Sequence, residues 1–308
     1  MNIAFAGSCQ VTGLAAAARL LRPDLAYSQH HVGATGTAEQ VRDAIAGSDW
    51  VVTQFADEHP EGALLGPRAL AQVGLRAIYL PIFVFRGLHP DMMYLTERGE
   101  MVPGPVGPYH SLVVAAATLN GVAPARIVRL LNAHVYAELG LGGYDAARAA
   151  TIASYAEAGY DVAPAFARFE AAGEPFVHTF NHPGAAVHAE LAALALARMG
   201  LVPQGTPAPE DLPDYLGNAL VAPVLPAVTR RLGMRATTVW REAGQGDDSS
   251  RDVTLEDYAE RARVLYRERR QALLANARVR AASERLRALL GGTRYERPSR
   301  SFASAAEM

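Results

Sequence analysis

The sequence predicts an α/β protein built on a doubly wound, mainly parallel sheet, with a helical middle segment and a long C-terminal helix. Three observations carry that expectation. Up to about residue 90, short apolar runs alternate with helical patterns, as in parallel strands joined by crossover helices. Half of the 308 residues are hydrophobic, enough for a sizeable core. A later extended stretch, Pro175 to Phe180, passes through a turn into an alanine-rich helix ending near Met199, repeating the strand, turn, helix order of the N-terminus.

In chain order, Asn2 to Ala6 reads as the first strand and Val11 to Leu21 as a helix rich in Ala and Leu, stopped near Pro23. Leu25 to Val32 reads as the second strand, Ala38 to Ile45 as a helix, Trp50 to Phe55 as the third strand, Pro67 to Gln72 as a helix and Arg76 to Val84 as the fourth strand. A Gly/Pro-rich stretch, Gly99 to Pro108, precedes apolar helices from His110 through Leu131 and from Tyr144 to Ala158. From Thr254 to Leu290 the pattern is one long helix, with Leu255, Tyr258, Ala262, Leu265, Leu286 and Leu289 at helical spacing. Thr254 is its N-cap and Asp257 takes the capping-box position. The expected division is a catalytic α/β domain over 1–240 with a helical insertion at about 110–170, a helical extension over 254–290 and a flexible tail at 294–308.

Composition removes several classes of function. A single cysteine, Cys9, excludes an internal disulfide framework and a thiolate zinc cluster. No H-E-x-x-H or comparable spacing occurs, so no metal is expected. No run approaches the ~20 apolar residues of a membrane span, and Met1 leads straight into a strand without a basic leader, which points to the cytoplasm. The net charge is −2 and no lysine is present. Residues 254–308 carry twelve Arg against seven Asp and Glu. A solvated helix face accounts for these arginines more simply than phosphate or lipid docking, and no nucleic-acid partner is expected. A homo-oligomer stays open.

In an open parallel sheet, ligands gather outside the carboxyl ends of the strands, where helix N-termini present amide groups. Gly7, Ser8, Cys9 and Gln10 fall at that place. A Rossmann-type dinucleotide site is not expected, because Cys9 replaces the middle glycine of G-x-G-x-x-G and Tyr27 to His31 contains no acid for a ribose. A thiol at a helix N-terminus has its thiolate favoured by the amides and the macrodipole, so Cys9 is a candidate nucleophile. The competing reading is a small buried filler at a tight turn. His182 follows Asn181 at a helix start and is a candidate general base, against the reading of a cap or a packed ring. Gln54, ending the third strand, and Gln10 are candidate oxyanion donors or hydrogen-bonding caps. Arg86, His89 and Asp91 form a polar cluster after the fourth strand, and Tyr109 and His110 open the helical middle.

Four short motifs sit at these places: G-S-C-Q from Gly7, T-Q at Thr53 and Gln54, L-H-P-D from Leu88 and N-H-P-G from Asn181. Together they resemble the WcbI-type capsular polysaccharide biosynthesis family, over roughly residues 1 to 200. The resemblance implies coenzyme A or acetyl-CoA as co-substrate and O-acetylation of a hydroxyl on a sugar, nucleotide-sugar or polysaccharide acceptor. On that footing the coenzyme would be held by Ser8, Gly33, Arg86, His89, Tyr109, His110 and Asn181. The layout is also similar to SGNH hydrolases, which places Cys9 as nucleophile, His182 as base, and Gly33 with Gln54 near the oxyanion. Thr179 stands three residues before His182, where those enzymes have Asp, so an orienting carboxylate is missing locally. A thiolate needs less help than a serine hydroxyl, and a Cys/His pair can suffice.

The leading expectation is an acetyl-CoA-dependent O-acyltransferase in which Cys9 takes the acyl group, His182 deprotonates the acceptor and Gln10 and Gln54 stabilise the oxyanion. Direct transfer without an acyl-enzyme is its close variant. The rivals are an esterase using the same pair with water as acceptor, and a non-catalytic protein that binds coenzyme A or a partner.

Overall fold

The computed structural model describes residues 1–242 and 250–291. Four parallel strands, β1 (Asn2–Gly7), β2 (Ala26–His31), β3 (Trp50–Thr53) and β4 (Ala77–Tyr79), form one sheet in the order β2-β1-β3-β4. They are connected by helices α1 (Val11–Leu21), α2 (Ala38–Ile45), α3 (Gly62–Leu65) and α4 (Pro67–Gln72). The alternation of the pleat sorts β1 onto two cores. Ile3 and Phe5 face a large cluster with Leu14, Leu191 and Leu196, whereas Ala4 and Ala6 face Val41, Ile45, Leu65 and Leu70. Both faces of the sheet are covered, as a parallel sheet requires, and the fold is the doubly wound α/β class read from the sequence. Thr37 caps α2 in a full capping box with Gln40.

Three expectations change. The fourth strand stops at Tyr79, not Val84: Leu80 makes the last ladder bond, from its N–H to Thr53 O at 2.9 Å, and Pro81 has no donor to continue it. Phe83 and Phe85 instead enter an aromatic cluster with Tyr144, Tyr155, Phe166 and Phe176. The late extended stretch is not a further parallel strand. Val177–Thr179 folds back at Asn181 to pair antiparallel with His182–Pro183, ahead of the helix Ala185–Arg198. Nor is the C-terminal helix continuous. It runs as Leu255–Glu268, Arg270–Ala275 and Ala277–Leu289, because Asn276 is itself an N-cap, accepting from Val279 N–H.

Contacts divide the chain into two units whose boundaries differ from the expected 1–240 and 254–290. The first comprises Met1–Pro90 and Gly142–Val253. The helices Tyr144–Glu157 and Ala163–Ala171 belong to it, since Tyr155 and Tyr160 each donate a hydroxyl bond of 2.8 Å, to Pro81 O and Tyr79 O, at the end of β4. The second comprises Asp91–Leu141 and Thr254 onward. There the C-terminal helices complete a bundle with Leu112–Leu119 and Pro124–Leu130. Thr254 caps as expected, accepting from Asp257 N–H at 3.1 Å. The tail expected at 294–308 lies outside the described residues. No described helix is long and apolar enough to cross a membrane.

Candidate functional site

The chain leaves β1 at Gly7 and enters α1 at Val11, and the turn between them is built around two glutamine amides. Gln54 Oε1 accepts from both the Ser8 amide and the Ser8 hydroxyl, at 2.9 Å each. Gly7 is what allows this, because a Cβ there would stand 2.4 Å from Gln54 Oε1. Gln10, 1% exposed, donates from Nε2 to Phe83 O and to Asn181 O, both at 2.9 Å. Its Oε1 accepts from Phe83 N at 3.0 Å and from Gln54 Nε2 at 3.3 Å. Four bonds satisfy the amide completely. Gln10 therefore pins three segments together, and its two donors are committed to carbonyls instead of being held for an oxyanion.

The Gln10–Asn181 bond joins the turn that carries Cys9 to the hairpin that carries His182. Each is the sequence neighbour of a bonded residue, and both side chains are partly exposed. Burial pushes the Cys9 thiol above its ordinary value, opposed by its own backbone amide and the Ser8 hydroxyl. The low-pKa thiolate expected from the helix N-terminus is thus overridden by desolvation. Burial also pushes His182 down to about 4, aided by the charge of His178, so its imidazole is neutral at neutral pH and a weak base.

The remaining expected residues separate into two groups. Arg86 is exposed, with its guanidinium 4.0 Å from the centre of the Phe180 ring, beside Asn181. Gly33 adopts φ 92° and lines a cavity of about 590 Å³ with Thr35, Thr37 and Gln40, next to the carboxyl end of β2. Its N–H is engaged by Gly36 O at 2.8 Å, which removes it as an oxyanion donor. Ser8 and Asn181 are half-buried at the turn and hairpin. By contrast His89, Tyr109 and His110 are 3%, 1% and 0% exposed and offer no surface to a coenzyme. Within the second unit, His110 bonds Tyr266 hydroxyl at 3.0 Å and Val102 O at 2.9 Å, while Tyr109 stacks on Tyr94. Both are packing residues of that unit. Asp91 is likewise internal to it, bonded by the Ser111 hydroxyl, and burial raises its carboxyl.

The sequence reading missed His178, His188 and Asp214. His178 directs Nε2 at both oxygens of Asp214, at 2.9 and 2.8 Å. Burial acts to raise the Asp214 carboxyl, yet the His178 bond and charge and the Gly217 amide leave it below its ordinary value. His188 is fully buried, its ring lying where a Cβ on Gly13 would be, 2.6 Å from its nearest atoms. Burial pushes it to about 4. Asp214 sits in a Pro-rich loop with no pattern to mark it, and His188 lies in an alanine-rich helix whose sequence does not show that it packs on Gly13 of α1. Among the described residues, no three His, Cys, Asp or Glu side chains gather as a metal site would need.

A solved structure of WcbI, described as a novel polysaccharide biosynthesis enzyme, shares this fold with a TM-score of 0.61 and 16% identity, over 92% of this chain and 98% of that one. No curated protein matches the chain. The model of the family "Polysaccharide biosynthesis enzyme WcbI" matches residues 2–204, which span β1 through the hairpin and the helix after it. The chain belongs to the WcbI family of polysaccharide biosynthesis enzymes.

Proposed function

We propose that this member of the family is an acetyl-CoA-dependent O-acyltransferase acting on a sugar hydroxyl, with Cys9 as the group that takes the acyl chain. The observation that carries the reading is the Gln10 pin, which fixes the Cys9 turn against a histidine-bearing hairpin at the carboxyl edge of the sheet. The solved WcbI structure supports it, being described as the native protein without a disulfide bond between coenzyme A and one of its cysteines. Cys9 is the single cysteine here. On this reading Arg86, exposed beside Phe180, and Asn181 would meet coenzyme phosphates, with Ser8 and Gly33 near the ends of β1 and β2; the burial of His89, Tyr109 and His110 argues against the same role for them.

In the first half-reaction Cys9 Sγ attacks the thioester carbonyl, the carbon–sulfur bond of acetyl-CoA breaks, and the thiol proton leaves with the coenzyme thiol. A hydroxyl oxygen then attacks the acyl group on Cys9 while a hairpin histidine, His182 on the sequence reading, takes its proton. Gln54 retains one amide proton beyond its bond to Gln10 and is the better oxyanion donor of the two glutamines.

Cys9→Ser tests this. A packing cysteine should tolerate the change with activity largely intact, whereas a nucleophile should lose at least ~100-fold in kcat with acetyl-CoA binding retained. Incubating wild type with labelled acetyl-CoA and no acceptor should leave label on Cys9 by mass spectrometry. Full activity in Cys9→Ser refutes the nucleophile; lost activity with no trapped label points to direct transfer.

A further inference from the structure

The sequence has no carboxylate three residues before His182, yet the fold brings one to the hairpin from a distant loop. Asp214 lies 36 residues beyond His178 and meets its Nε2 with both oxygens, while the Gly217 amide fixes the carboxylate at 3.0 Å. We propose that His178, held by Asp214, is the general base that activates the acceptor hydroxyl, with Asp214 as its positioning residue; the proposal rests on the acyl-transfer reading above.

Two features of the geometry support the assignment. A carboxylate on Nε2 fixes one orientation and one tautomer of the ring, keeps the proton on that nitrogen and leaves Nδ1 as the acceptor. It also stabilises the imidazolium that forms when Nδ1 takes a proton. This is the logic of a catalytic triad with the two ring nitrogens exchanged. The second feature is place. The hairpin bearing His178 is tied to the Cys9 turn through Gln10 and Asn181. His188, which feels the charges of His178, His182 and Asp214, rests on Gly13 in the first turn of α1, so the cluster lies along the end of α1 that follows the Cys9 turn.

The neighbouring rings are poorly suited to the task. His89, His182 and His188 are each driven to about 4, chiefly by burial, and the charge of His178 opposes a second proton on any of them. A base so far below neutral pH takes little of a hydroxyl proton in the transition state. In the step assigned to His178, the hydroxyl oxygen bonds to the acyl carbon as its proton passes to Nδ1. The carbon–sulfur bond to Cys9 then breaks, and Nδ1 returns the proton to the leaving thiolate. The acyl group ends on the acceptor oxygen as an ester, and the Cys9 thiol and the His178 ring return to their starting states.

The test uses the full chain with acetyl-CoA as donor and methyl glucoside as acceptor, following release of coenzyme A by chromatography. Asp214→Asn and His178→Gln should each lower kcat by ~100-fold or more while KM for acetyl-CoA stays within ~3-fold. The double variant should lose about as much as either single one, because the two residues act as a unit. Asp214→Glu should recover part of the loss, and circular dichroism should show native helix content throughout. The proposal is overturned if both single variants keep kcat within ~3-fold of wild type, or if their losses multiply in the double variant. If Asp214→Asn does not fold, His178→Gln and Asp214→Glu decide by the same criteria. p-Nitrophenyl acetate separates the two readings. Turnover of this ester that both variants abolish, with none of acetyl-CoA, would sink the coenzyme A donor and leave the His178 base standing. No turnover of either donor by wild type overturns both.

Discussion

Gln10→Leu removes the pin while nearly preserving volume, and the structure allows its cost to be worked out. The native amide makes bonds of 2.9, 2.9 and 3.0 Å and a weaker one at 3.3 Å. Counted as net hydrogen bonds at ~1 kcal/mol each, the loss would be about 3–4 kcal/mol. Counted by the groups left behind, namely Phe83 N–H and C=O, Asn181 C=O and the Gln54 amide, the penalty is ~1–3 kcal/mol for each that water cannot reach. Gln10 is 1% exposed and Phe83 1% exposed, so water replaces little of this. A loss of roughly 4 kcal/mol is the expected figure, at the severe end of single substitutions. It corresponds to a fall in melting temperature of about 10 °C for a unit of this size. Urea titration followed by circular dichroism measures it, with the slope m unchanged if the native state is otherwise preserved. Gln10→Glu separates shape from polarity: a carboxylate of the same size can accept from Phe83 but would face the Phe83 and Asn181 carbonyls without a donor. It should cost as much as leucine at neutral pH. A loss below ~1 kcal/mol in both variants would show that the network contributes no more than a surface bond and that something else holds the hairpin to the turn.

Two other outcomes follow from the same groups. His89 and His188 titrate near 6.5 when unfolded but at about 4 in the fold, so between those values the unfolded chain binds protons that the native one refuses. The stability is therefore complete above pH 6.5 and is lost as pH falls towards 4, by up to roughly 3 kcal/mol for each ring. Unfolding free energies that stay level from pH 7 to pH 4.5 would contradict this. Coenzyme A at about a hundred times its dissociation constant should stabilise the chain by ~2.7 kcal/mol in a thermal shift, while NAD should give none. No shift with millimolar coenzyme A would favour the esterase.

The N-terminal half was legible because its signals are local. Asn2–Gly7, Val11–Leu21, Ala38–Ile45 and Pro67–Gln72 emerge where the apolar periods and Pro23 place them. The late hairpin was not, since six extended residues before a turn read alike whether they join the main sheet or fold back on themselves. The break at Asn276 was missed for a different reason: apolar spacing continues through it, and an internal N-cap interrupts a helix without disturbing that period. At the site, position alone singled out Cys9 and the Asn181–His182 turn, and the fold joins those two segments through Gln10. The partners of each side chain could not be read. Gln10 was taken for an oxyanion donor because an amide at a strand end can serve either purpose, and only the simultaneous presence of Phe83 and Asn181 decides between them. Asp214 and His178 meet across 36 residues, a separation over which no spacing rule operates.

The raised thiol of Cys9 bears directly on how such a site works. At neutral pH the resting Cys9 is a protonated thiol, and the His182 ring of the adjoining hairpin is neutral, so neither carries charge before substrate arrives. A thiol of that kind resists oxidation and alkylation better than a helix-terminal thiolate would. It gains nucleophilicity only when its proton is taken, and desolvation then works in favour of attack, because the thiolate formed has little water to shed. Its own backbone amide and the Ser8 hydroxyl, insufficient to ionise the free thiol, favour the charge that would develop on sulfur. Burial and amide support thus act at different stages: the first keeps the thiol quiet, and the second lowers the barrier once proton transfer begins. On the proposed reading, a Cys and His pair would depend on the precision with which the hairpin meets the turn, and the fully bonded Gln10 amide is what ties those two segments together.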